Sequence, residues 1–141
     1  MDLTNIYQSN SRSSRLLIPG VNYRNHQVSD QKLRDTLAMI SYFLGSALTI
    51  TSGDRRRIVN RNSNSQHLAG RAADFIPDQI SLSNAYTQMQ NMDFLSTGYQ
   101  VIYHTEATRS PHLHIGRYLD NRTSSFVVDR GQILPRRRKE N

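Results

Sequence analysis

Residues 99–118 read YQVIYHTEATRSPHLHIGRY, and two runs inside that stretch decide the fold. Tyr99 to His104 and His112 to Tyr118 are apolar-rich and alternating, with the period of two that marks a strand, and Thr105 to Pro111 join them with turn-forming residues. The pattern predicts an antiparallel hairpin. Residues two apart on an extended strand share a face, so His112 and His114 project together while Leu113 and Ile115 project oppositely, toward a core.

Working outward, Ala72 to Ile76 reads as another strand, broken by Pro77-Asp78, with Asp74 on one side and Ala73 and Phe75 turned toward helices. Leu48-Thr49-Ile50-Thr51-Ser52 reads as a short strand ended by Gly53, and Phe126-Val127-Val128 as an added edge strand. From Asp30 the apolar positions Leu33, Leu37, Ile40, Phe43, Leu44 and Ala47 recur at helical spacing, with Ser29 or Asp30 as the cap. Leu82, Ala85, Tyr86, Met89 and Leu95 outline a second helix starting near Ser81 or Ser83. The expected fold class is α+β: a small antiparallel β-sheet with helices packed on one face and a groove of ionisable side chains on the other.

The chain has 141 residues, the size of one domain, and 36% of them are hydrophobic. The first 28 residues are polar, carry Pro19-Gly20 and show no sustained period, so residues 1–28 are read as an irregular arm, 29–130 as the folded domain and 131–141 as a basic tail containing Arg136 to Lys139. Cysteine is absent, which excludes disulfides, thiolate metal sites and cysteine nucleophiles. Any metal must therefore be held by His, Asp or Glu. Lys and Arg number 18 against 11 Asp and Glu, a net charge of +7, and such a surface seeks anions. The opening MDLTNIYQSNSRSS lacks the basic start and apolar run of a signal peptide, and no stretch approaches the roughly 18 apolar residues of a membrane span. A chain made in the cytosol is expected.

Three features converge on chemistry: Ser52-Gly53-Asp54-Arg55, then Ser65-Gln66-His67 followed by Gly70 and Asp74, then His112-Leu113-His114. Asp54 to Gln66 is a long polar loop without apolar period, and long loops inside compact domains are often functional. A lone His beside an Asp is ordinarily a surface residue, but three of the five histidines and a strand-borne carboxylate converging on one face have no explanation in core packing. Two imidazoles and one carboxylate suit one Zn²⁺ ion with a fourth position open to water, the arrangement of a catalytic site. A further imidazole beside it can move protons.

Thr51-Ser52-Gly53-Asp54-Arg55, Asn60, the block from Ser65 to Asp74 in the form S-x-H-x-x-G-R-A-x-D, and His112-Leu113-His114 together resemble the zinc D-Ala-D-Ala carboxypeptidase and endopeptidase family, peptidase family M15. The family shares a fold with lysostaphin-type murein peptidases and includes phage endolysins. The resemblance spans about Thr49 to Gly116. It implies that His67, Asp74 and His114 ligate the zinc, that His112 is the acid/base residue, and that Arg55 holds a substrate carboxylate or the developing oxyanion. Many relatives place Glu or Asp three residues before the last ligand, where this chain has Pro111, so the histidine variant with His112 is the one that fits. Asp54 stands where relatives often carry an aromatic residue, and Leu113 where they carry Trp or Val.

Around this set, Ser65 bonds substrate or fixes its loop, and Arg71 is a substrate contact or a structural ion pair. His104 would face the site across from His112, Glu106 would serve as a second base if the hairpin loop folds inward, and His26 belongs to the surface. The implied activity is a zinc-dependent peptidoglycan peptidase, endopeptidase or D,D-carboxypeptidase, cutting a stem-peptide or cross-link amide next to a D-amino acid. Its partners would be stem peptides, with anionic envelope polymers held through the basic tail, at the bacterial cell wall or periplasm after release by phage lysis or secretion. Two other classes compete. A basic nucleic-acid-binding protein would use Arg55 to Arg57 and the tail on phosphates, but lacks any helix-turn-helix, zinc-finger or RNA-recognition signature and leaves the His-Asp-His order unexplained. An inactive wall-binding module of the same fold would keep the metal and drop catalysis.

Overall fold

The computed structural model describes residues 19–55, 66–67 and 69–135. Ser65, Arg56, Arg57 and Arg136 to Lys139 lie outside the described residues, as do residues 1–18 of the arm. The elements follow one another as β1 (Val21–Asn22), α1 (Gln31–Leu44), β2 (Leu48–Ser52), β3 (Ala72–Pro77), α2 (Leu82–Met89), a 3₁₀ turn (Asp93–Leu95), β4 (Tyr99–His104), β5 (His112–Arg117), β6 (Ser124–Asp129) and β7 (Gln132–Pro135). The class is α+β.

The sheet is larger than expected and is mixed. Seven strands lie in the order β1-β2-β3-β5-β4-β6-β7, antiparallel except that β1 runs parallel to β2 and β4 parallel to β6. The expectation of a small antiparallel sheet is corrected on both counts, and the connections give the reason. Chain that leaves β1 returns to β2 through α1, and a helical crossover brings the second strand back parallel to the first. Between β5 and β6 the chain wraps under the start of β4, where Tyr118 N–H donates to the Gly98 carbonyl at 2.8 Å and Gly98 N–H to the Arg122 carbonyl at 2.9 Å. β6 must then begin beside the first residues of β4 and run with it.

Helix α1 starts where Asp30 accepts the Leu33 amide at 3.0 Å and ends at Gly45, whose φ of 65° is the left-handed conformation that closes a helix. It therefore stops before Ala47, and Phe43, counted above as part of the apolar stripe, is exposed and rests against Phe94 at 5.7 Å between ring centroids. Likewise α2 ends at Met89, and Leu95 is buried from the 3₁₀ turn. Leu33, Leu37 and Ile40 of α1 and Ala85 and Met89 of α2 pack with Ile50, Phe75, Leu113 and Ile115 in one core. The alternation of β3 and β5 assigns Ala73, Phe75, Leu113 and Ile115 to this helix-covered face and turns Asp74, His112 and His114 to the other. No helix among the described residues is long and apolar enough to cross a membrane.

Candidate metal centre

The register of β3 against β5 sets Asp74 directly opposite His114, although forty residues separate them in the chain. His114 Nδ1 lies 2.9 Å from Asp74 Oδ1. His67 arrives from a turn held by backbone bonds, Arg71 N–H donating to the Gln66 carbonyl at 2.9 Å and Gly70 N–H to the His67 carbonyl at 3.2 Å. Its Nε2 lies 3.3 Å from the same Oδ1. One donor atom from each of His67, Asp74 and His114 falls within 4.8 Å of the others, and all three residues are buried, at 4%, 8% and 8% exposure. The structure therefore brings these three together as a buried cluster.

The donor set fits a divalent cation on two observations. His67 Nδ1 lies 2.9 Å from the Gly53 carbonyl, which can only accept, so Nδ1 carries the proton and Nε2 turns its lone pair toward Asp74. Metal-ligating histidines are held in this way, by a carbonyl or carboxylate on the far nitrogen. The carboxylate is also ready to bind: burial raises the Asp74 pKa, but its contacts with the His114 and His67 rings outweigh that and hold the group well below the usual carboxylate range. Two imidazoles and a carboxylate are a known zinc donor set.

His112 stands beside the cluster with its Nε2 3.6 Å from Asp74 Oδ2, too far for a hydrogen bond. Its Nδ1 donates to the Ser110 carbonyl at 2.7 Å, which leaves Nε2 with a lone pair facing the centre. His104 pairs with His112 across β4 and β5, and the two rings stack at 4.2 Å. The other sequence candidates are held by contacts of their own. Arg55 N–H donates to the His67 carbonyl at 3.1 Å, and the residue lines a polar cavity of about 430 Å³ with Asn25, His26, Gln27, Asp54 and Gly70. Arg71 Nε donates to the Arg117 carbonyl at 3.2 Å, and Glu106 accepts from the Tyr103 hydroxyl at 2.6 Å.

Gln66 was not singled out in the sequence beyond its place in the motif, yet its Oε1 lies 3.4 Å from His114 Nε2. No signal in the sequence separates it from any other polar loop residue, because the contact forms only once the turn folds over β5. The family model described as Peptidase M15 matches residues 12–114, an interval that ends on His114 and contains His67, Asp74 and His112. No curated protein matches, and no solved structure matches.

Proposed function

The chain belongs to the Peptidase M15 family, and on that footing we propose that it is a zinc metallopeptidase that hydrolyses an amide next to a D-amino acid in peptidoglycan stem peptides or their cross-links. The observation that carries this reading is the convergence of the His67, Asp74 and His114 donor atoms within 4.8 Å, beside a His112 Nε2 that no hydrogen bond occupies among the described residues. Zinc held there supplies Lewis-acid polarisation of a carbonyl and lowers the pKa of a coordinated water to about 7.

The chain's own residues do the rest. His112 Nε2, with its lone pair toward the centre, accepts a proton from the attacking water and later returns it to the leaving amine. The Asp74 carboxylate, its pKa held below the usual range, and two neutral imidazoles leave a site of net charge +1 once a cation is bound. Arg55 is the anchor for a substrate carboxylate, with the polar cavity beside it taking the peptide, and Ser65, Arg71 and His104 are the remaining candidate substrate contacts. The net charge of +7 favours anionic envelope polymers as a second partner at the bacterial cell wall, an attraction that weakens as salt rises. Lysis is the role this activity serves.

The test is mass spectrometry of purified peptidoglycan digested with the protein, with and without chelator and with zinc restored. New fragments that depend on zinc and whose masses identify a cut stem-peptide amide support the reading. A protein that binds one zinc but releases no fragments overturns it in favour of a binding module.

A further inference from the structure

Gly116 follows His114 by two positions on β5, so the two residues share a face. A Cβ built on Gly116 would stand 1.9 Å from Gln66 Oε1 and 2.4 Å from Gln66 Cδ. The Gln66 amide therefore lies against the bare backbone of Gly116, in space that any side chain there would fill. From that position its oxygen reaches His114 Nε2 at 3.4 Å. His114 turns its other nitrogen, Nδ1, to Asp74.

The tautomer follows from the donor requirement. For His114 Nδ1 to offer a lone pair to a cation, the proton of the neutral ring must sit on Nε2, and Nε2 then needs an acceptor. Gln66 Oε1 is in place to be that acceptor. The other end of the amide pays for it: Gln66 Nε2 is buried and has no hydrogen-bond partner among the described residues. Rotating the amide would set N–H against N–H at His114, so the orientation that leaves Nε2 unpaired is the one the ring selects. His67 gets the same service from the Gly53 backbone carbonyl. His114 depends on a side chain that can be replaced.

We infer that Gln66 is the positioning residue of the last metal ligand, fixing His114 with Nδ1 toward the metal, and that Gly116 is the space this requires. The inference rests on His67, Asp74 and His114 being the metal ligands.

Its test is the zinc dissociation constant, measured by competition with a chromophoric chelator, beside thermal unfolding of the metal-free protein. Gln66→Met, which keeps the shape and removes the acceptor, should weaken zinc about 10- to 100-fold, the range typical of lost outer partners. The metal-free variant should unfold at the wild-type temperature or above, because it also loses the unpaired amide. Gln66→Glu keeps an acceptor and should hold zinc at least as tightly as wild type. Gly116→Ala should weaken zinc as Gln66→Met does, yet add nothing in a Gln66→Ala background, where no amide is left to displace. Unchanged affinity in Gln66→Met, a loss in Gln66→Glu equal to that in Gln66→Met, or a Gly116→Ala effect that persists without the Gln66 amide would each overturn the inference. A wild-type protein that binds no zinc would overturn the metal centre itself, which is a distinct result.

Discussion

His104 and His112 stack ring on ring, with centroids 4.2 Å apart and planes 15° from parallel, as direct partners across the β4–β5 ladder. The stack bounds the His112 ring on one side, and the hydrogen bond to the Ser110 carbonyl holds its edge. Together they aim Nε2 at the cluster. Burial first, and then the proximity of the His112 ring, lower the pKa of His104 and favour its neutral form, which suits it to serve as a platform for His112.

If that platform sets the aim of His112, its shape matters more than its nitrogen atoms. His104→Phe should retain most of kcat on a peptidoglycan fragment, whereas His104→Ala should lower kcat about tenfold with little change in KM, since a small misplacement of a proton-transfer group slows the reaction. Steady-state kinetics of the two variants check this. Equal rates for both would remove His104 from any positioning role.

The division of labour among the four histidine and aspartate side chains gives a second prediction. His112→Ala should keep zinc, as measured by metal analysis of the dialysed protein, and lose about 10²- to 10⁴-fold in turnover, the usual worth of a general acid/base. His67→Ala or Asp74→Ala should lose both zinc and turnover. Zinc retention with full activity in all three would refute the assignment of roles.

The hairpin was legible because residues 99–104 and 112–117 are apolar-rich and largely alternate, a pattern that needs no tertiary information. The same period announced that His112 and His114 share a face, and the S-x-H-x-x-G-R-A-x-D block pointed to His67 and Asp74. What the chain could not announce is register: Asp74 meets His114 only because β3 pairs with β5. The mixed sheet escaped for a similar reason. Val21–Asn22 is too short for any period, and its direction is set by the α1 crossover. Counting Ala47 into α1 extended the helix past Gly45, the glycine whose left-handed backbone stops it.

Asp30 does two jobs at once, and its loss should show in stability. Its carboxylate caps α1 and forms two hydrogen bonds with Arg117, at 2.6 and 2.7 Å, tying the helix start to the end of β5. The bond from Arg117 outweighs burial and lowers the Asp30 pKa. Because the folded value lies below the unfolded one of about 3.9, this stabilisation is complete above that pH and is lost as pH falls through the folded value. Asp30→Ala should cost about 2 kcal/mol at pH 7, from a lost cap and a lost charged pair. Asp30→Asn should keep the cap and lose only the pair. Denaturant melts at pH 7 and pH 3 check both the magnitudes and the sign: the gap between wild type and Asp30→Asn should narrow at the lower pH.

Gly53 supplies the carbonyl that holds His67, and it is glycine for a reason outside its own dihedral angles. A Cβ there would come within 2.2 Å of the Gln27 carbonyl oxygen and 3.0 Å of its carbon, backbone atoms that cannot swing aside. That same Gln27 oxygen accepts from Asp54 N–H at 2.7 Å, so residues 27 and 53–54 are already clamped. Gly53→Ala must push the two backbones apart and carry the Gly53 carbonyl away from His67 Nδ1. Overpacking of this kind costs about 1–3 kcal/mol, and a displaced carbonyl should weaken zinc about tenfold. Gly45→Ala is the control, because its cost comes from a left-handed φ of 65° with nothing within 4 Å of the new Cβ. It should lower the unfolding temperature by a few degrees and leave the zinc dissociation constant where it was. If both substitutions cost stability but neither touches zinc, the Gly53 carbonyl is not what orients His67.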